Sequence, residues 1–211
     1  MSVTPRFATS TLSRIAATAA VAVLLAGAAA APAAAHTTPR PGASCTMSGM
    51  TMLDHGKTYV CSKNAAGKAV WSRGLPLSAS KLVATDTWAK AAPSAMSAAF
   101  GVLTNPTAKA IKVIGASSPY SPALQLHEVV SQDGAMVMQE KTGGFVIPAG
   151  GTLELKPGGN HIMFMSLTKP IKAGTMVPVT LIMSDGSRMT FRALAKVFTG
   201  ANETYDPMAA G

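Results

Sequence analysis

Cysteine and acidic residues are both scarce in this chain, and each shortage excludes a class of chemistry. Only Cys45 and Cys61 occur among the 211 residues. The absence of a cysteine after residue 61 argues against a blue-copper electron-transfer site, which needs a thiolate ligand. Nine acidic residues are spread over the whole length, which leaves little general acid–base machinery. Neither G-x-S-x-G nor H-E-x-x-H is present, so the common hydrolase arrangements are missing and no enzyme is expected. The 18 lysines and arginines stand singly, a diffuse surplus that suits general attraction to anionic surfaces rather than a nucleic-acid groove. Beyond residue 31 no apolar run of about 20 residues occurs that could hold the chain in a bilayer.

What is present begins with a leader. Arg6 and Arg14 precede the small, apolar run 15–31, and Ala33, Ala34 and Ala35 supply an A-x-A cleavage pattern. Residues 1–35 therefore read as a secretory signal peptide. No Arg-Arg pair precedes the apolar run, and Cys45 lies too far beyond it for a lipid-attachment cysteine, so ordinary secretory export to an extracytoplasmic space is expected. In that compartment two neighbouring cysteines point to a disulfide.

After a flexible leader over 36–44, residues 45–75 hold two β-prone runs, Tyr59-Val60 and Ala69-Val70-Trp71, separated by a turn-like AAGK. This predicts a small disulfide-closed hairpin. Gly56-Lys57, Tyr59, Cys61, Lys68 and Trp71 resemble a short module found in secreted actinobacterial proteins, to which no function attaches. From residue 83 to 199, short alternating runs (AIKVIGA, ALQLHEVV, AMVMQE, HIMFMSL) are separated by Asn-Pro, Asp-Gly, Pro-Ala-Gly-Gly and Lys-Pro-Gly-Gly. Strands at this spacing predict an all-β antiparallel sandwich. Residues 87–99 could be argued as helical, although Pro93 opposes it. Residues 200–211 read as a flexible tail.

The stretch 158–167, GGNHIMFMSL, carries the chemistry. Side chains alternate across a strand, so His161, Met163 and Met165 share one face while Ile162 and Phe164 take the other. Upstream, Asp133-Gly134 is a two-residue hairpin signal, and closing the turn there sets His127 opposite Glu140, with Met138 diagonal to His127 on the same face. Imidazole binds several transition metals, but thioether sulfur is soft and uncharged and serves mainly Cu(I). Thioethers also cannot be lost to disulfides in an oxidising compartment. Strand methionines most often fill a core, however, and a lone histidine most often makes a polar contact. Copper binding and plain packing both remain open on the residues alone.

The order His127, ten residues, Met138, twenty-two residues, His161-Ile162-Met163 resembles the PCuAC family of periplasmic copper chaperones, whose pattern is one residue shorter before the H-x-M. Leu126-His127-Glu128, Val146-Ile147-Pro148-Ala149-Gly150-Gly151, Leu155 through Met163 and Ser184-Asp185-Gly186-Ser187 carry the same likeness. The extra residue falls in EKTGGF, a loop. The resemblance implies a cupredoxin-like or Ig-like sandwich, a monomer, that holds one Cu(I) through His127, Met138, His161 and Met163. It implies delivery to the CuA centre of cytochrome oxidase, sometimes beside a Sco-type thiol protein. Copper storage without delivery shares these ligands, and a metal-indifferent secreted module is the structural alternative. Met136 and Met165 are expected to pack or guard a shallow, partly exposed site. Met47, Met50, Met52 and His55 form a second soft-donor stretch, read as loop residues or as a weak copper trap, and a mature N-terminal His36 could chelate Cu(II) only with a second histidine.

Overall fold

A computed structural model describes residues 39–76 and 78–200, together with Met1, Thr204 and Tyr205. Most of the expected signal peptide, residues 36–38 of the leader and all of the tail beyond 200 except Thr204 and Tyr205 lie outside the described residues. From residue 39 on, two sheets form. The first contains β1 (Thr51–Asp54), β2 (Lys57–Lys63), β3 (Ala69–Trp71) and β4 (Leu75–Pro76), with β2 at its centre. This is a four-stranded sheet, larger than the expected hairpin, because residues 75–76 return to pair with Lys57 and Thr58. Cys45 and Cys61 are joined in a disulfide.

The second sheet contains β5 (Ser78–Ala79), β6 (Val83–Lys90), β7 (Ser97–Thr104), β8 (Ile111–Ser118), β9 (Ser121–Gln132), β10 (Ala135–Glu140), β11 (Phe145–Ile147), β12 (Thr152–Leu155), β13 (His161–Phe164), β14 (Met176–Met183), β15 (Ser187–Lys196) and β16 (Thr204–Tyr205). No helix occurs among the described residues, and 87–99 is divided between β6 and β7. The path β8-β14-β15-β6-β7-β13-β9 closes through a β8–β9 pairing, so the sandwich is a flattened barrel. Closure removes the two exposed edges that an open sheet of these strands would carry. The pairing is not wholly antiparallel: β6 and β5 run parallel to β15, and β16 runs parallel to β10 at Val137 and Met138. Strands so far apart in the chain are joined by long excursions rather than hairpins, and these permit either direction.

The main core is aliphatic and phenylalanine-rich, with Leu103, Val113, Leu124, Phe145, Ile147, Ile162, Phe164, Val179 and Leu181 buried together. A second, smaller cluster contains Ala98, Phe100, Met138 and Met163, flanked by Trp88, Val129 and Met165. The four-stranded sheet packs on the barrel through Val60 and Leu75 against Ile182. Arg188 reaches from β15 to the Thr58 hydroxyl.

Candidate metal centre

The Asp133-Gly134 turn forms with only those two residues between the paired Gln132 and Ala135, and both have positive φ, 51° and 82°. Glycine tolerates this conformation without strain and aspartate better than most residues do, which is the turn that suits the twist of the strands. The register it imposes pairs Glu140 with His127 and Met138 with Val129. Across the other edge of β9, β13 pairs His161 with His127 and Met163 with Gln125. Glu140, His127 and His161 therefore form one row across three strands, with Met138 and Met163 beside it.

The Lys156-Pro157-Gly158-Gly159-Asn160 turn delivers His161. The turn closes through Lys156 N–H to the Asn160 carbonyl at 2.8 Å and Gly159 N–H to the Lys156 carbonyl at 3.1 Å. It presents the Gly159 carbonyl to His161 Nδ1 at 2.9 Å. A carbonyl can only accept, so in the neutral ring Nδ1 holds the proton and Nε2 the lone pair. That Nε2 stands 3.1 Å from the Met138 sulfur. A nitrogen lone pair and a thioether sulfur face each other with no proton to share in this tautomer, and a soft cation satisfies both.

Met163 completes this side: Met138, His161 and Met163 line one cavity of about 180 Å3 together with Phe100, Pro157 and Gly158. The His127 ring lies 5.4 Å from that of His161, centroid to centroid. Its Nε2 is 2.8 Å from Gln125 Oε1. Burial above all, then the charge of His161 and of Lys63, pushes the His127 pKa from 6.5 down to about 3. The ring is neutral at physiological pH, which is the form a metal requires.

The four expected ligands are less open than a shallow site would be. His127, His161, Met163 and Met138 are 0%, 4%, 6% and 7% exposed. Trp88 stacks on Phe100 at 4.4 Å and meets Phe198 edge-on at 5.2 Å, which walls this end of the barrel with aromatic rings. Lys90 and the half-exposed Met96 line the cavity's mouth. Met165 packs beside the cluster, whereas Met136 points out at 53% exposure. Among the described residues no group of three or more His, Cys, Asp or Glu is placed to hold a metal ion.

The second soft-donor stretch is different in kind. Met47 and Met52 are exposed, the Met50 sulfur accepts the Thr46 hydroxyl at 3.1 Å, and His55 pairs with Asp54 at 2.8 Å in open solvent. Sequence reading missed Gln125 and Met96. Gln125 had a signal, since it lies two residues before His127 on one strand and shares its face.

Residues 82–195 match the family described as "Putative lipoprotein LpqE-like". Over 121 residues the chain is 50% identical to the "Putative lipoprotein Lxx21020" of Leifsonia xyli subsp. xyli (strain CTCB07), covering 57% of this chain and 73% of that one. Among solved structures, a copper-bound PCuAC domain from PmoF2 superposes with a TM-score of 0.48 at 16% identity, covering 57% of this chain and 97% of that one. The solution structure of Cu(I)-DR1885 from Deinococcus radiodurans gives 0.43 at 29% identity over 58% of this chain and 85% of that one. Both scores fall below 0.5, so the reading of the site rests on this chain's own residues. With the family matched across the barrel and half of the aligned positions identical in the Leifsonia relative, the chain belongs to the LpqE-like family.

Proposed function

We infer that this protein is an extracytoplasmic Cu(I) carrier that binds one ion through His127, Met138, His161 and Met163 and passes it to a cuproprotein such as the CuA centre of cytochrome oxidase. The observation that carries the reading is the 3.1 Å approach of the His161 Nε2 lone pair to the Met138 sulfur, in a cavity that Met163 also lines. Two neutral imidazoles and two thioethers bear no charge, so the set suits a soft monovalent ion better than Zn2+, which prefers thiolate and carboxylate. Copper is the cargo, and no bond is made or broken beyond exchange of ligands. Met96, at the mouth, offers an accessible thioether through which the ion can leave.

Export follows from the signal-like residues 1–35. With both cysteines joined to each other, neither is available to carry a lipid. The burial of all four donors favours a second reading, copper storage, because a closed site exchanges slowly. An anaerobic Cu(I) titration against a chromophoric chelator tests the first step: one equivalent bound tightly, and lost in His161→Ala, is expected. Absence of competition by the wild type would remove the copper reading altogether. Transfer from the loaded protein to an apo CuA domain then separates carrier from store, transfer within minutes being the carrier's result.

A further inference from the structure

The Ser48 turn that leads into the four-stranded sheet is hydrogen-bonded to Gln125, whose side chain in turn meets the proposed ligand His127. At Ser48 the chain turns against β9: Leu124 N–H donates to the Gly49 carbonyl at 3.1 Å, and Met50 bridges Ala123. Gly49 has φ of 87°, and a Cβ there would stand 2.3 Å from the Leu124 carbonyl oxygen and 2.9 Å from the Gln125 Cγ. Only glycine permits so close an approach. The approach puts the Ser48 carbonyl 3.1 Å from Gln125 Nε2, and the Ser48 hydroxyl donates to the half-buried Glu140 carboxylate. Gly49 N–H in turn donates to the Cys61 carbonyl at 2.8 Å, and Cys61 N–H to the Met50 carbonyl at 2.8 Å. Beside the Cys45–Cys61 disulfide, these bonds hold the Ser48 turn in place.

The direction of this chain of bonds is set at Ser48. A backbone carbonyl can only accept, so the Gln125 amide must turn its NH2 to Ser48 and its oxygen to His127. The oxygen in turn can only accept, so His127 Nε2 must carry the ring proton. In the neutral ring, Nδ1 then holds the lone pair.

We propose that Gln125, oriented by Ser48, is a positioning residue for His127: it holds the ring in the Nε2–H tautomer and makes Nδ1 the nitrogen that binds copper. The inference rests on the copper reading for its consequence but not for its geometry. It gives the N-terminal sheet a purpose, since without that sheet the amide of Gln125 has no fixed sense. Partners of this kind, one bond removed from a metal, set ligand orientation and basicity, and their loss costs 10- to 100-fold in affinity.

The test uses the chain from residue 36 onward, with its disulfide formed, and two readouts. Long-range 1H–15N NMR of the histidine rings in the copper-free protein reports the His127 tautomer, and chelator competition reports Cu(I) affinity. Wild type should show Nε2–H. Gln125→Leu, nearly equal in volume, should lose that single tautomer and bind Cu(I) about 10- to 100-fold more weakly. Gly49→Ala, which forces the Ser48 turn away, should move in the direction of Gln125→Leu while His161 keeps its tautomer.

An Nδ1–H tautomer at His127 in the wild type overturns the proposal whatever any variant does. So does a Gln125→Leu protein that keeps both tautomer and affinity, and in that case the copper reading stands. If the wild type binds no Cu(I), the copper reading falls, and the tautomer comparison between wild type and Gln125→Leu still decides whether Gln125 orients the ring.

Discussion

Two regions of this molecule are rich in methionine and histidine, and only one of them brings its donors together in a buried cluster. Between residues 47 and 55 three methionines and a histidine crowd along one short stretch of chain, yet Met47 and Met52 face solvent and His55 pairs with its neighbour Asp54. In the barrel, His127, Met138, His161 and Met163 come from three strands and are buried together. Sequence proximity makes donors numerous; strand pairing makes them converge. The second condition counts for a metal because a buried, pre-oriented donor set has already met the cost of ordering its side chains.

The comparison can be broken from either side. The largest effect is expected from Met138→Leu with Met163→Leu. Both changes nearly conserve volume, so the fold should persist with thermal stability changed by less than about 1.5 kcal/mol per site. Cu(I) affinity should drop by two orders of magnitude or more in the anaerobic competition assay, and an unchanged value would reduce the buried cluster to packing.

The apo protein should also lose stability as pH falls. Because burial lowers the His127 pKa to about 3 from 6.5, the unfolded chain takes up a proton that the folded one refuses. The contribution is complete above pH 6.5 and declines as pH falls from there toward 3. Between pH 7 and 5 the loss should be about 2 kcal/mol in urea unfolding. His127→Gln should lack that part of the slope, and an equal slope in both proteins would mean that the imidazole is not held neutral by burial.

A smaller change is expected at the mouth of the cavity. Met96→Leu should leave equilibrium Cu(I) affinity within about threefold, since the residue is half-exposed, while slowing release to a chelator if it serves as an exit ligand. The smallest effect sharpens the contrast directly. Replacing Met47, Met50 and Met52 together by Leu should leave Cu(I) stoichiometry at one equivalent. A drop from two equivalents to one would restore the exposed stretch as a second site.

How much of this was legible depends on how far apart the interacting residues lie. The β9–β10 pairing was readable because Asp133-Gly134 is a local turn with one favoured geometry, and counting outward from it places Glu140 across from His127. The face shared by His161 and Met163 was readable from alternation alone. The parallel β6–β15 pairing was not, since nothing local states which of two distant strands, or which direction, will close a barrel. The site is less open than the sequence suggests for a related reason: Trp88 and Phe100 meet as a cross-strand pair of β6 and β7, and Phe198, which follows β15, reaches them only because β15 pairs with β6.

The sequence by itself determined the kinds of donor available, the faces they occupy and the turn that brings Met138 alongside His127, because these follow from residue chemistry and short-range backbone geometry. Only the tertiary structure decided that His161 lies opposite His127, and that Ser48 turns the amide of Gln125 toward it. Both depend on which distant strands pair. That choice minimises exposed edges and buries the most apolar surface over the whole chain, a global sum to which no single segment holds the answer.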